Sequence, residues 1–390
     1  MRDRRLRVLF LVQGEGRGHM TQALALGEML RQRGHAVVGA VVGASRRREL
    51  PSFFARGLGA PVETVESPAF VADKAGSIRP AATLVRALRN ASGYGQSLDR
   101  IERAVDRHEP DVIVSFYEGL AGAYALLRVT DAPVVAVGHQ FMMRHPAYPL
   151  QSGQPLQRSA MEAYTRLAGA GAATRLALSF YDAPDQLGRG VRVAPPLLRR
   201  SLFALADRPC DGALVVYLME SAMAPALVAW SDRNPGVRLH VFSDAAPHAH
   251  SAALTFHGLS GKAFLEHMAV ARGVVCTAGF ESVSEAMWLG KPALMVPVPN
   301  HYEQRCNAAD AAAAGAGLAA ETLDLDPFLA YLDAHRADPE PFRRWVARAE
   351  GRVVGAIEDA AGLPPLATGD GAGDGLADAS AVRVRPSVRP

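Results

Sequence analysis

The side chains best suited to chemistry cluster in two stretches. The first is 276–308, CTAGFESVSEAMWLGKPALMVPVPNHYEQRCNA, where hydroxyls, carboxylates and amides recur along a strand, turn, helix, strand pattern. Residues 273–276 are a short apolar run that predicts a buried strand. Gly279 marks a turn, and 282–289 carries a helical register ended by Gly290. Lys291-Pro292 turns the chain, and 293–297 predicts a second buried strand. A helix entered in this way presents unpaired N–H groups and the positive end of its dipole, which suits an anion such as a phosphate. Ser282 lies in that first turn and Glu285 follows three residues on. Glu303, Gln304 and Asn307 come after the second strand and suit a hydroxyl-rich ligand. Ser282 with Glu285 also matches a plain capping box, which needs no ligand.

The second stretch is Gly14-Glu15-Gly16-Arg17-Gly18-His19, set between an apolar run at 7–13 and a helical pattern over 20–33. Met20, Ala23, Leu24, Gly27 and Leu30 recur at helical spacing, Gly34 closes the helix, and 35–42 predicts the next strand. Strand, glycine loop, helix and strand at the start of a chain indicate a Rossmann-like half. His19 stands at the strand-to-helix turn, and its unperturbed pKa near neutrality suits a proton acceptor. A helix-start residue without a chemical role is the plainer reading. The dinucleotide fingerprint has its third glycine three positions after the second, whereas Gly18 follows Gly16 by two and no acid ends the second strand. Arg46, Arg47 and Arg48 would nevertheless suit a 2′-phosphate, so an NADP-dependent oxidoreductase stays open. Further on, 111–116 and 133–137 predict strands that end near Glu118 and near His139-Gln140. Strand ends face the crevice in doubly wound sheets, which makes these residues candidates against the plain reading of solvated strand ends.

The ordered string Gly279, Ser282, Glu285, Ala286, Gly290, Pro292, Pro297, Glu303-Gln304 and Asn307-Ala308 resembles the donor motif of GT-B glycosyltransferases. Within them it is most similar to the branch containing the lipid-linked peptidoglycan N-acetylglucosaminyltransferase. The resemblance implies an α/β protein of two Rossmann-like domains facing across a cleft, with the last helix crossing back onto the first domain. It implies that Ser282, Gly279 and nearby amides hold a pyrophosphate, that Glu285 accepts both ribose hydroxyls, and that Glu303 and Gln304 read hydroxyls of the transferred sugar. Many relatives carry His where this chain has Thr277, so a hydroxyl contact to phosphate is expected there. The loop beginning at His257 would meet the nucleobase through its backbone. The glycine loop with Gly16 and Gly18 resembles the N-terminal loop of the same family, with His19 at the cleft mouth and Glu118 as its orienting partner. The expected reaction is an inverting transfer of a hexose-type sugar from a nucleotide diphosphate, UDP by default, to an acceptor hydroxyl, with lipid-linked acceptors included. No Asp-x-Asp arrangement stands at a suitable place, so neither metal nor cofactor is expected. A nucleotide-sugar 2-epimerase of the same fold and a non-catalytic nucleotide-sugar-binding protein stay open beside this reaction.

The remaining sequence fits this frame. The chain has 390 residues, about half of them apolar, with a net charge of +3, so neither a nucleic-acid partner nor a disordered chain is indicated. Cys210, Cys276 and Cys306 lack the number and spacing of a disulfide framework or a zinc site, which fits a reducing cytoplasm. No apolar run approaches the roughly 20 residues of a membrane span, and nothing resembles a signal peptide. Arg2, Arg4, Arg5, Arg7, Arg31, Arg33, Arg46, Arg47 and Arg48 crowd the first fifty positions. With lipid-linked acceptors among the relatives, they suggest peripheral contact with the inner face of the membrane; scattered solvated charges would explain them equally. Pro195-Pro196 reads as a linker. It divides an acceptor-side domain, 1–196, from a donor-side domain, 197–361, and a Gly-, Ala-, Asp- and Pro-rich tail, 362–390, predicted to be disordered.

Overall fold

The structure, a computed structural model, describes residues 4–45, 50–71, 79–218, 224–243, 251 and 253–364. The predicted tail lies almost wholly outside these residues, as do Arg2 and the 46–48 arginines. The chain builds two parallel sheets. The first contains β1 (Arg7–Gln13), β2 (Ala36–Ala44), β3 (Val62–Glu66), β4 (Val112–Phe116), β5 (Val134–Gly138), β6 (Thr174–Leu178) and β7 (Arg192–Ala194). The second contains β8 (Leu214–Leu218), β9 (Leu239–Ser243), β10 (Leu254–His257), β11 (Gly273–Cys276), β12 (Ala293–Met295) and β13 (Gly317–Ala319).

Their spatial orders are β3-β2-β1-β4-β5-β6-β7 and β10-β9-β8-β11-β12-β13. In each sheet the first strand lies inside and the order reverses beside it, between β1 and β4 and between β8 and β11. Such switch points open a crevice beyond the carboxyl ends of the strands. The central strands read as unbroken apolar runs because helices cover both faces: every residue of β4, β5 and β11 is buried.

Most predicted elements are present with boundaries shifted by one or two residues. β3 (VETVE) and β13 (GLA) escaped the pattern because they are short and carry little apolar signal. The helices Ser52–Leu58, Pro155–Ala168 and Tyr302–Ala313 were also missed. β12 ends at Met295, two residues before the predicted end, because it pairs with the three residues of β13.

The last helices cross back onto the first sheet as expected. Val353, Val354, Ala356 and Ile357 share a core with Leu6, Val8 and Phe10 of the opening segment. Glu358 accepts from Arg33 at 2.8 Å, and the Trp345 indole donates to the Ser179 carbonyl at 3.0 Å. Several arginines of the first fifty residues make contacts within the fold. Arg4 pairs with Asp111, Arg7 donates to the His108 carbonyl at 2.7 Å, and Arg31 donates to the Leu58 carbonyl at 3.2 Å. No helix among the described residues is long and apolar enough to cross a membrane.

Candidate functional site

The site forms where the switch points of the two sheets meet. β1 runs into Gly14, whose N–H donates to the Gly43 carbonyl at 2.7 Å, so the chain turns closely against the end of β2. Gly16 is the N-cap of the helix Arg17–Gln32 and offers no side chain to it, leaving His19 in an open first turn. Tyr117 follows β4 with φ 54, a left-handed turn that presents its ring to His19, and the two rings stack at 5.8 Å and 25°. His19 Nδ1 is buried without a hydrogen-bond partner. Burial lowers the imidazole pKa, against the pull of the Glu303 carboxylate and the Gln22 amide, so the ring is neutral at pH 7. A neutral ring with an uncommitted nitrogen is the state a general base needs.

Glu118 does not orient that ring. It folds back as the N-cap of the helix Gly119–Leu127, accepting from Leu120 N–H at 2.9 Å and from the Ser67 hydroxyl. Its other oxygen, Oε2, is buried without a partner against Gly43, where a Cβ would overlap the carboxylate and lie 2.7 Å from Ser67 Cβ. Burial pushes the Glu118 pKa up to about 7, opposed by the Ser67 and Leu120 hydrogen bonds. A carboxyl immediately after a strand reaches its own helix N-terminus more readily than a side chain on a neighbouring loop.

His139 and Gln140 follow β5 and point into the interface between the sheets. His139 Nδ1–H donates to the Leu178 carbonyl at 2.7 Å, and the ring stacks on Phe280 of the facing helix at 4.1 Å. Its Nε2 stands 3.7 Å from Asp310 Oδ2. Burial drives the His139 pKa down to about 4 and that of Asp310 up to about 7, so between those pH values this is a neutral pair rather than an ion pair. Gln140 donates to Glu303 Oε1 at 2.9 Å.

On the opposite side the helix Phe280–Trp288 begins two residues earlier than the spacing indicated, with Gly279 as an N-cap that lacks a side-chain bond. The Ser282–Glu285 capping box therefore does not form; Ser282 is half-buried inside the first turn, and Glu281 is the first-turn carboxyl. Glu281 and Glu285 are buried one turn apart. Arg199 grips Glu285 Oε1 with Nε at 2.7 Å and Nη2 at 2.6 Å, and Gln22 donates to Glu281 Oε2 at 3.3 Å. Burial raises both carboxyls, Glu281 well above the usual range and further by Glu285, while Arg199 pulls Glu285 back. Burial thus favours the protonated form of Glu281, which lessens the negative charge competing at the helix N-terminus.

Several expected ligand contacts turn out differently. Thr277 is buried at the end of β11, ahead of Ala278 at φ 59. Gln304 accepts from Val298 N–H at 2.8 Å and so fixes the loop after β12 instead of facing the cleft with Glu303. Neighbouring helical positions diverge by about 100°, so the two cannot share a direction. Asn307 accepts from Tyr148 Oη at 2.9 Å. His257 closes β10 instead of opening a loop, and its ring joins His240 and His267, the three offering ring nitrogens within 4.8 Å of one another.

The structure brings Gly18, His19, Gly279, Ser282, Glu285 and Glu303 to one interface: a Cβ on Gly18 would lie 3.8 Å from Glu281 Cβ, in the first turn of the facing helix. Sequence reading missed Gln22, Tyr117, Arg199 and Asp310. Gln22 lies three residues after His19 and Asp310 three after Asn307, the spacing of one helix face, which was an available signal. Arg199, just after the Pro195-Pro196 linker, had none.

A sequence model described as glycosyl transferase family 1 matches residues 6–333. A UDP-N-acetylglucosamine–N-acetylmuramyl-(pentapeptide) pyrophosphoryl-undecaprenol N-acetylglucosamine transferase of Paenarthrobacter aurescens is 28% identical over 343 residues, 81% of this chain and 84% of its own length. A Nocardioides protein of the same description is 30% identical over 243 residues, 52% of this chain and 64% of its own. An uncharacterized glycosyltransferase of Methanosarcina acetivorans is matched over only 33% of its length. Among solved structures, the glycotransferase of kitacinnamycin superposes with a TM-score of 0.59 at 20% identity, covering 92% of this chain and all of the other. Acinetobacter baumannii MurG does so with a TM-score of 0.53 at 18% identity, covering 90% and 99%. Two switch-point sheets, their facing helix N-termini and these matches agree: the chain belongs to glycosyl transferase family 1 and has the GT-B fold.

Proposed function

We propose that the protein transfers a hexose-type sugar from a nucleoside diphosphate to an acceptor hydroxyl by direct displacement with inversion. The observation that carries this reading is the meeting of the His19 turn with the open N-terminus of the helix Phe280–Trp288. In the step, His19 takes the proton of the acceptor hydroxyl as its oxygen bonds to the anomeric carbon. The bond from that carbon to the diphosphate breaks, and its electron pair leaves on the diphosphate oxygen. The helix amides beside Gly279 and Ser282 offset that charge. Glu303, held by Gln140, faces the sugar, and Glu285 takes the ribose after exchanging part of its contact with Arg199. Gly16 and Gly18 let the acceptor side approach closely. Thr277, Gln304 and the backbone at His257 support the donor pocket from behind. Residues 1–196 serve the acceptor and 197–361 the donor.

Uridine is the default base. Two solved neighbours leave it to experiment: Streptomyces SsfS6 is described with thymidine diphosphate, and Phytolacca americana UGT2 with UDP-2fluoro-glucose. The undecaprenol named for the bacterial relatives makes a lipid-linked acceptor the first to try. That acceptor would place the enzyme at the inner face of the membrane. The test is a thermal-shift screen of UDP- and TDP-sugars followed by mass spectrometry with candidate acceptors. A stabilising donor that yields the acceptor plus one sugar is expected. Donor isomerised without acceptor would indicate the 2-epimerase reading, and tight binding without turnover a binding protein.

A further inference from the structure

Five of the twelve histidines, His240, His248, His250, His257 and His267, fall within one short stretch of the donor half. The structure describes three of them, and they converge. His240 lies on β9 and His257 at the end of β10; their registers put His240 opposite Thr255 and Phe242 opposite His257. In paired strands this places His240, Phe242 and His257 on one face of the sheet. His267 comes down onto that face from the helix Gly261–Val270. The ring centroid of His267 lies 4.6 Å from that of His240 and 4.8 Å from that of His257. Phe242 forms the floor, stacked on His257 at 4.8 Å and edge-on to His267 at 5.4 Å.

We propose that His240, His257 and His267 form a binding site for one divalent cation of the zinc class, an imidazole site separate from the transfer chemistry. Three observations support it. His240 Nδ1 and His257 Nε2 share a hydrogen bond at 3.1 Å, close to the roughly 3.3 Å between ligand nitrogens around a tetrahedral zinc with 2.0–2.1 Å bonds, and an ion would replace the shared proton. His267 Nδ1–H donates to the Ala263 carbonyl at 2.9 Å, which fixes the tautomer and leaves Nε2 with its lone pair outward. An imidazole ligand oriented by a backbone carbonyl is the usual outer-shell arrangement of metal-bound histidine. Finally, all three residues are half-buried, so the rings are partly shielded while a fourth position stays open to water. The ligand nitrogens all lie within 4.8 Å of one another, so side-chain rotations that move them by about an ångström close the set around an ion. Soft thiolate and hard carboxylate are absent from the trio, which favours zinc, copper or nickel over magnesium or calcium.

An ion here would tie β9, β10 and the helix Gly261–Val270 together. That helix begins at Gly261, where a Cβ would come 3.0 Å from Arg199 Nη1, the same guanidinium that holds Glu285. The site therefore stiffens the support of the donor pocket without joining it.

The test uses full-length, tag-free protein stripped with a chelator and titrated with zinc chloride by calorimetry, with a parallel thermal melt. One zinc per chain and a raised melting temperature are expected. His267→Gln and His240→Asn should each weaken zinc binding at least about tenfold, the lower end for disturbing even an orienting partner of a metal ligand. Both should also abolish the zinc-dependent rise in melting temperature. Near-wild-type melting without zinc confirms that a variant is folded; if one fails to fold, the other carries the measurement. Absence of saturable zinc binding to the wild-type chain, or equal binding by both folded variants, overturns the proposal; the latter would put the ion at other side chains. Neither readout involves sugar transfer, so failure here is distinguishable from failure of the transferase reading.

Discussion

The two faces of the interface treat their polar side chains differently. On the donor face the motif residues are already engaged: Glu285 by Arg199, Gln304 by Val298 N–H, and Asn307 by Tyr148. On the first-sheet face His19 Nδ1, Glu118 Oε2, His139 Nε2 and Gln140 Oε1 are buried with no partner, and on the donor face only groups outside the motif string, Glu281 Oε1 and Asp310 Oδ2, are so among the described residues. A buried polar atom left unpaired costs about 1–3 kcal/mol, so a fold keeps several together only where something else compensates. The contrast teaches that the residues most diagnostic of the family also build its frame. The buried groups left without a partner lie outside that diagnostic string, most of them on the first-sheet face.

The sharpest way to break this comparison is to remove His19. His19→Ala should lower turnover about 10²–10⁴-fold, the usual contribution of a general base, while donor affinity by calorimetry stays near wild type. Glu118→Gln keeps the acceptor for Ser67 and Leu120 and should cost less than about tenfold. Full turnover by His19→Ala with a verified acceptor would remove the base from the mechanism and the distinction with it.

A second test addresses the neutral pair beneath the site. The unfolded Asp310 carboxyl releases its proton near 3.8, whereas the folded one keeps it up to about 7. Between those pH values the folded state binds more protons, so this residue's contribution falls as pH rises. His139 works in the opposite sense, because its folded pKa of about 4 lies below the unfolded 6.5. Asp310→Asn cannot ionise and keeps an acceptor for Tyr181, which donates to Asp310 Oδ1 at 2.9 Å. Urea melts at pH 5 and pH 8 should show the variant gaining on wild type by up to a few kcal/mol over that range. A constant difference across pH would mean that Asp310 is ionised in the fold.

The smallest effect probes the donor face. Glu285→Ala should weaken nucleotide binding by about 1.5–3 kcal/mol, the range for hydrogen bonds to a charged group. Glu303→Ala should leave binding of the free nucleotide nearly intact and blur discrimination among sugars. If both variants bind nucleotide as wild type does, the motif is frame alone.

Much of the architecture is legible in the sequence, and the exceptions are instructive. The strands of both sheet centres are readable because burial on both faces demands unbroken apolar runs, as in VIVSF of β4 and GVVC of β11. Gly34 and Gly290 are readable as helix ends because both adopt positive φ, +82 and +68, which glycine accommodates freely. The start of the helix at Phe280 is misplaced by its spacing because Gly279 caps it without a side-chain signal. The pairing of His19 with Glu118 fails because strand-end proximity specifies a neighbourhood, whereas a hydrogen bond depends on where the chain turns next.

By itself the sequence determined the class of the fold, through apolar periodicity, and the resemblance to the family, through one ordered string of residues. Only the tertiary structure decided which polar groups meet. Gln22 reaches Glu281 across 259 positions, Gln140 reaches Glu303 across 163, and Arg199 reaches Glu285 across 86. No local pattern encodes such pairs: they exist because two independently wound sheets present their switch points to each other, and burial then forces each polar atom to find a partner or go without.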